Sequence, residues 1–197
     1  MILRHCMAIA AAILLTSGAQ AQVLPCAPPT TADLTDNDAA RIAGFVQSRT
    51  RGLAEALRAP SAEDRQAVSD IFAAGLAPAG GVPTGTYRCR TLKLGGNLPL
   101  IAYSYFSCTI GDEGASIDKT SGSQRFSGSL TPSNGGWFYQ GALHYRDEQP
   151  LAYGTDPERN QVGCLYEIAG GDGRFVLELP SPAFESLHDL IELVPAD

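Results

Sequence analysis

The sequence predicts a mainly β domain: an eight-stranded antiparallel meander, barrel-like, preceded by two N-terminal α-helices. Three observations carry this. Eight stretches rich in β-branched and aromatic residues follow one another between Thr86 and Val194, most of them joined by turns of Gly, Asn, Asp and Pro. No helical stretch interrupts them, so βαβ alternation and a parallel sheet are excluded. Two stretches with helical spacing of apolar residues stand before them. Closure into a barrel would remove the exposed sheet edges, and an open sheet packed on the helices is the alternative.

Met1 to Ala21 reads as a secretory signal: Arg4 in a short basic start, an apolar run from Met7 to Leu15, and the small-residue pattern Ala19-Gln20-Ala21, with cleavage expected after Ala21. That run is too short to span a bilayer, and no later segment is long and apolar enough, so the mature chain should carry no membrane span. A periplasmic or secreted location follows. The formal net charge of −7 argues against a basic surface for nucleic acid.

Residues 22–35, with Pro25, Pro28 and Pro29, form an extended lead-in. Thr35-Asp36-Asn37-Asp38 opens like a capping box, and Ile42, Val46, Leu53 and Leu57 then recur at helical spacing until Pro60. Gly44 and Gly52 weaken this helix by about 1 kcal/mol each relative to Ala, so it needs a docking surface. Asp33, Asp36, Asn37 and Asp38 could suggest calcium, but the Gly and distal Glu of an EF-hand loop are missing, and capping accounts for them. Ser61-Ala62-Glu63-Asp64 starts a second helix with Val68, Ile71, Phe72 and Leu76 on one side. Residues 36–77 are thus a helical hairpin packed on a β domain of residues 85–197, with Pro78 to Pro83 as the linker.

Thr86 to Leu94 and Leu100 to Ile110 should pair around Gly95-Gly96-Asn97. With the turn centred between Leu98 and Pro99, Cys89 faces Cys108, within adjustment of disulfide geometry. Tyr87, Cys89 and Thr91 then share a core face with Ile110, Cys108 and Phe106. On the other face Leu92 and Leu94 meet Tyr105 and Tyr103, an apolar patch that the helices should cover. Four cysteines remain after signal removal, and an even count in an oxidising compartment implies disulfides in one of three connectivities. The hairpin register selects Cys89–Cys108, which leaves Cys26–Cys164.

Ala115 to Lys119 and Ser123 to Thr131 continue the meander. Ser133-Asn134-Gly135-Gly136 carries the Asn-Gly signature of a type I′ turn and pairs Leu130 with Tyr139, Gly128 with Gly141, Phe126 with Leu143 and Gln124 with Tyr145. The two facing glycines leave room for an aromatic ring or a ligand. His144 falls on the outer face, where it should be solvated. Residues 146–160 form a long surface loop. Gln161 to Ala169 and Arg174 to Leu179 make a hairpin with Ile168, Tyr166 and Cys164 inward against Phe175, Leu177 and Leu179, and with Glu178 outward. The last strand, Leu187 to Val194, is apolar on both sides, as expected of one covered by a helix or by the chain start.

Four stretches together carry a family resemblance: Tyr87-Arg88-Cys89-Arg90-Thr91-Leu92-Lys93-Leu94, Lys119-Thr120-Ser121-Gly122-Ser123-Gln124-Arg125, Glu158-Arg159-Asn160-Gln161-Val162-Gly163, and Phe184-Glu185-Ser186 leading to Ile191-Glu192-Leu193-Val194-Pro195. In this order they resemble a bacterial secreted family catalogued as domain of unknown function 4893. The resemblance implies export, and because the family has no assigned activity no catalytic residue is carried over from it. Cys26 and Cys164 are not part of its pattern.

No G-x-S-x-G, H-E-x-x-H, phosphate loop or dinucleotide fingerprint is present, and no Cys/His spacing suggests a metal, so no cofactor is expected. The polar residues Lys119, Gln124, Arg125, Tyr153, Arg159 and Glu185 concentrate at turns and loops, where barrels carry binding sites for a small ligand or an envelope protein partner. They could equally be surface ion pairs that tie loops together. Three readings follow: a non-enzymatic binding module, an envelope hydrolase using His144 or His188 with a carboxylate, or a filled structural barrel. The first two are separated by whether a histidine reaches a carboxylate and a hydroxyl in a cleft.

Overall fold

The computed structural model describes residues 25–170 and 172–196. The signal-like stretch Met1 to Ala21 lies outside the described residues. Three helices, α1 (Asp36–Ala43), α2 (Phe45–Ala56) and α3 (Ala62–Phe72), precede β1 (Leu76–Ala77), β2 (Gly85–Leu94), β3 (Leu100–Ala102), β4 (Phe106–Gly111), β5 (Ser116–Lys119), β6 (Gln124–Ser133), β7 (Gly136–Tyr145), β8 (Asn160–Ile168), β9 (Phe175–Pro180) and β10 (His188–Pro195). Neighbours run β8-β7-β6-β5-β4-β2-β10-β9, and β9 pairs with β8, so eight antiparallel strands close a barrel. The short strands β1 and β3 add to it through β8 and β2.

The expected two helices are three. Gly44 ends the first, donating to Ala40 O, and starts the second, so the long stretch bends where it lacks a side chain. Thr35 and Ser61 cap as their sequences foretell, each accepting the amide three residues on. Gly52 has a different use. A Cβ there would lie 3.0 Å from His188 Cβ and 3.1 Å from Leu94 Cβ, so its absence lets α2 settle directly on β2 and β10.

Two apolar clusters result, one on each side of the sheet wall. Outside the barrel Phe45, Ala56, Val68 and Ile71 of the helices bury Leu92, Leu94, Leu100 and Leu190. The patch of Leu92 and Leu94 is therefore covered by the helices. Inside, Tyr87, Ile110, Ile117, Phe126, Leu130, Tyr139, Leu165, Leu177 and Leu193 fill the barrel. One end is closed by the linker, where Trp137 Nε1 donates to Ala79 O and Tyr87 OH to Pro83 O.

Of the three expected hairpin registers, one is met in full. Leu130 pairs with Tyr139 and Gly128 with Gly141, as expected, and the Tyr139 ring occupies the space over the two glycines. A Cβ on Gly141 would lie 2.3 Å from both Ser127 O and Tyr139 Oη. Gly141→Ala is accordingly expected to cost about 1–3 kcal/mol by overpacking, read as a lowered urea midpoint. An unchanged midpoint would mean the ring lies elsewhere.

The first hairpin is shifted by two residues from expectation: Cys89 faces Phe106, and Cys108 faces Tyr87. The turn closes on Asn97, pairing Leu94 with Leu100, and three residues between Ala102 and Phe106 face two between Cys89 and Leu92. That extra residue is a bulge. Because the shift is even, the core face is preserved, and Cys89–Cys108 forms on the diagonal with Cα atoms 5.8 Å apart. Leu92 and Leu94 consequently meet Ala102 and Leu100, while Tyr103 and Tyr105 stay exposed.

The β8–β9 hairpin is off by one, with Cys164 opposite Glu178 and Leu165 opposite Leu177. An odd slip changes faces. β9 keeps its expected orientation, but Cys164, Tyr166 and Ile168 lie outside the barrel in the helix-covered cluster. From there Cys164 reaches Cys26 of the lead-in, and the second disulfide forms. Glu178 does leave the barrel, yet α2 buries it completely.

Candidate functional site

Strand alternation gives the inside of the barrel an apolar body and a polar end. Where β2 ends and β10 begins, Lys93 and Asp189 pair across the strands and face inward with Leu179. Lys119 closes β5 opposite Cys108, and Gln124 opens β6 opposite Tyr145, both inward. Lys93, Lys119 and Asp189 are 6%, 7% and 5% exposed. The loop 181–187 lies over this end, and Ser181 and Glu185 hold positive φ angles of 45° and 70°. Non-glycine residues are rarely held so, and such strain gathers at functional loops.

The two lysines have opposite surroundings. Lys93 Nζ donates to Glu185 Oε2 at 2.6 Å. Burial works against its charge, but Asp189, followed by Glu185, overcomes that and holds the ammonium above the ordinary lysine value. Lys119 Nζ donates to the carbonyl of Gln124 at 2.7 Å and sits 4.5 Å from the centre of the Phe106 ring. No carboxylate pairs with it among the described residues. Burial, with the nearby charges of Lys93 and Arg125 behind it, pushes its ammonium down to about 8. Asp189, pushed up by burial against the pull of Lys93, accepts from Ser186 Oγ at 2.5 Å.

A cavity of about 100 Å³ opens beside Lys119, lined also by Thr91, Tyr103, Phe106, Ser123 and Gln124. A smaller one of about 40 Å³ lies across Gln124, among Lys93, Arg159, Phe184 and Asp189. A much larger depression, about 690 Å³, is elsewhere, over the outer face of β6 and β7. It is an open groove whose polar groups serve the fold: Gln140 Nε2 donates to Asp33 O, and Tyr153 OH donates to Asp38 Oδ2 at 2.6 Å. The mouth with a buried cation facing a small cavity is the better candidate.

Of the six polar residues singled out in the sequence, Lys119, Gln124, Glu185 and Arg159 gather at this end of the barrel. Arg159 lines its edge while pairing with Glu148 and stacking 4.9 Å over Tyr145. Arg125 lies on the outer face, donating to Gly122 O, with Asp147 at 3.6 Å. Tyr153 belongs to a separate buried node in which Asp38 accepts from Arg41, Thr35, Tyr153 and Asn160. Lys93 and Asp189 were not singled out in the sequence. A compositional signal points to the first: Lys93 and Lys119 are the two lysines of the entire chain, whose other twelve basic residues are arginines.

Of the two histidines among the described residues, His144 differs from expectation. His144, expected to be solvated, is 5% exposed, with Nε2 3.4 Å from Ser127 Oγ and Nδ1 unpartnered. Burial and then Arg125 push its imidazole below the ordinary value. His188 does reach both a carboxylate and a hydroxyl: Nε2 lies 2.8 Å from Glu178 Oε2, and Nδ1 lies 2.9 Å from Ser48 Oγ. All three are buried, however, and Ser48 Oγ donates to Leu187 O at 2.7 Å while accepting from Ser181 N. The Ser48 hydroxyl is thus engaged with the backbone beneath α2, where it ties the helix to the barrel.

Lys119 also carries a stability signature. Its folded pKa lies below the unfolded lysine value of about 10.4, so the folded state binds fewer protons and is penalised below pH 8, with relief as pH rises from 8 toward 10.4. Lys119→Met is expected to raise the melting temperature at pH 6, with the advantage shrinking above pH 8. An advantage independent of pH would mean the ammonium is not the cause.

No helix among the described residues is long and apolar enough to cross a membrane. The two disulfides are of the kind that an oxidising, extracellular compartment sustains. No curated protein and no solved structure matches the chain. A family model described as a domain of unknown function, DUF4893, matches residues 31–193, which takes in the helices, the polar mouth and all of the barrel but the last two residues of β10. The chain belongs to that family.

Proposed function

We propose that this protein is an exported, non-enzymatic binding module that takes a small anionic molecule at the polar end of its barrel. The observation that carries this reading is Lys119: a lysine 7% exposed, without a carboxylate partner among the described residues, beside a cavity of about 100 Å³. Burying an unpaired charge costs stability, and an incoming anion would offset that cost. The filled body of the barrel argues against a large apolar ligand, since Tyr139, Phe126 and Ile117 occupy that space. Export is supported by the signal-like start and by the disulfides. The hydrolase alternative rests on His188, whose hydroxyl partner is engaged elsewhere.

The reading is tested by thermal unfolding with small carboxylates and inorganic phosphate at pH 7. A ligand at a hundred times its Kd stabilises by about 2.7 kcal/mol, a readily measured rise in melting temperature. The rise is expected in the wild type and lost in Lys119→Met. If no member of such a panel stabilises the protein, the mouth is not an anion site.

A further inference from the structure

The two lysines share one barrel mouth, yet only one is neutralised. Lys93 is held by Glu185 and faces Asp189 across the strand pair, a fully matched cation. Lys119 makes one hydrogen bond, to a backbone carbonyl, rests against an aromatic face and has the charges of Lys93 and Arg125 as neighbours. A desolvated amine beside a second cation is the setting in which lysine becomes a nucleophile at moderate pH. The cavity beside it is too small for more than a few heavy atoms, and Thr91 and Ser123 are among the residues that line it.

Resting on the reading of this mouth as a small-anion site, we propose that Lys119 captures its ligand covalently, condensing with the carbonyl of a short 2-oxo acid to form an imine. The neutral amine attacks the carbonyl carbon and the C–N bond forms. The nitrogen proton passes to the former carbonyl oxygen, giving a carbinolamine. That hydroxyl takes a proton from solvent and leaves as water while the nitrogen lone pair forms C=N. The net change is ammonium plus ketone to iminium plus water, with no oxidant or reductant consumed. The iminium formed at Lys119 keeps the positive charge that faces the ligand carboxylate, while the pairing of Lys93 with Glu185 keeps Lys93 protonated and unreactive.

The test exploits the presence of only two lysines in the chain. The full-length protein is incubated at pH 8 with pyruvate and sodium cyanoborohydride, then read by intact mass and peptide mapping, with thermal unfolding in pyruvate and in lactate measured in parallel. The expected result, read by peptide mapping apart from any coupling at the α-amine, is one reductively coupled pyruvate on Lys119, none on Lys93, and complete loss of the lysine adduct in Lys119→Arg, which keeps the charge and must still unfold cooperatively. Stabilisation by both lactate and pyruvate without an adduct would overturn the imine and leave the anion site standing. No stabilisation and no adduct would overturn both. Coupling at Lys93, or equally at the two lysines, would overturn the assignment to Lys119.

Discussion

Replacing Glu178 by alanine is expected to cost about 3–5 kcal/mol, the loss typical of removing one partner from a buried ion pair. The carboxylate is 0% exposed, accepts from Arg49 Nε at 2.8 Å and Nη2 at 2.7 Å, and lies 2.8 Å from His188 Nε2. The guanidinium also lies over the Phe45 ring at 4.8 Å, so this acid helps to fix α2 to the barrel wall. Without Glu178, Arg49 keeps its charge in a place shielded from water and has no counterion there. Burial opposes ionisation of Glu178, but hydrogen bonding and charge from His188 and Arg49 outweigh it and hold the carboxyl below its ordinary value of 4.5. A folded-state pKa below the unfolded one gives stability that is present above pH 4.5 and is lost as pH falls through the folded value. Urea unfolding of wild type and Glu178→Ala should therefore differ most near neutrality and converge in acid. A gap that persists unchanged into acid would show that the loss is one of packing volume rather than charge.

How far the sequence reveals this fold depends on how many faces of each strand are buried. In the β6–β7 hairpin one face is apolar and the other carries Arg125, Ser127 and Ser129, and Asn134-Gly135 names the turn, so alternation fixes every pair. β8 is buried on both faces, Gly163 and Leu165 no less than Val162, Cys164 and Tyr166, and its alternation carries no register. The slip by one residue follows from that. In the first hairpin the bulge at Tyr103 to Tyr105 had no sequence marker, but an even shift left the cysteines on one face, so the disulfide was legible where the register was not. The mouth was legible in part for a similar reason. Lys119 and Gln124 stand next to turn residues and attract notice, while Lys93 and Asp189 sit inside strands read as core. Ser48, Glu178 and His188 meet across 140 residues of sequence, and only the descent of α2 over Gly52 brings them together.

Removing the Cys26–Cys164 bond through Cys26→Ser and Cys164→Ser is expected to cost up to about 5 kcal/mol, against about 3 kcal/mol for Cys89→Ser with Cys108→Ser, because chain-entropy loss grows with the length of the closed loop. The two bonds join residues 138 and 19 positions apart. Geometry adds to the contrast. Cys89 and Cys108 lie on adjacent strands that the ladder already holds together, so their bond constrains little that β2 and β4 do not. The described part of the lead-in, residues 25–35, has no ladder. Ser133 Oγ donates to Ala27 O, Gln140 Nε2 donates to Asp33 O, and Ala32 and Leu34 lie against the outer cluster, leaving the disulfide as its one covalent tie to β8. Peptide mapping without reduction should recover both pairings, and Cys89 joined to Cys26 or Cys164 would contradict the strand order itself. Urea midpoints of the two double variants then decide the energetics. Equal losses would mean that side-chain packing of the lead-in, rather than loop closure, sets what the long bond contributes, and that the unfolded chain already keeps its start near β8.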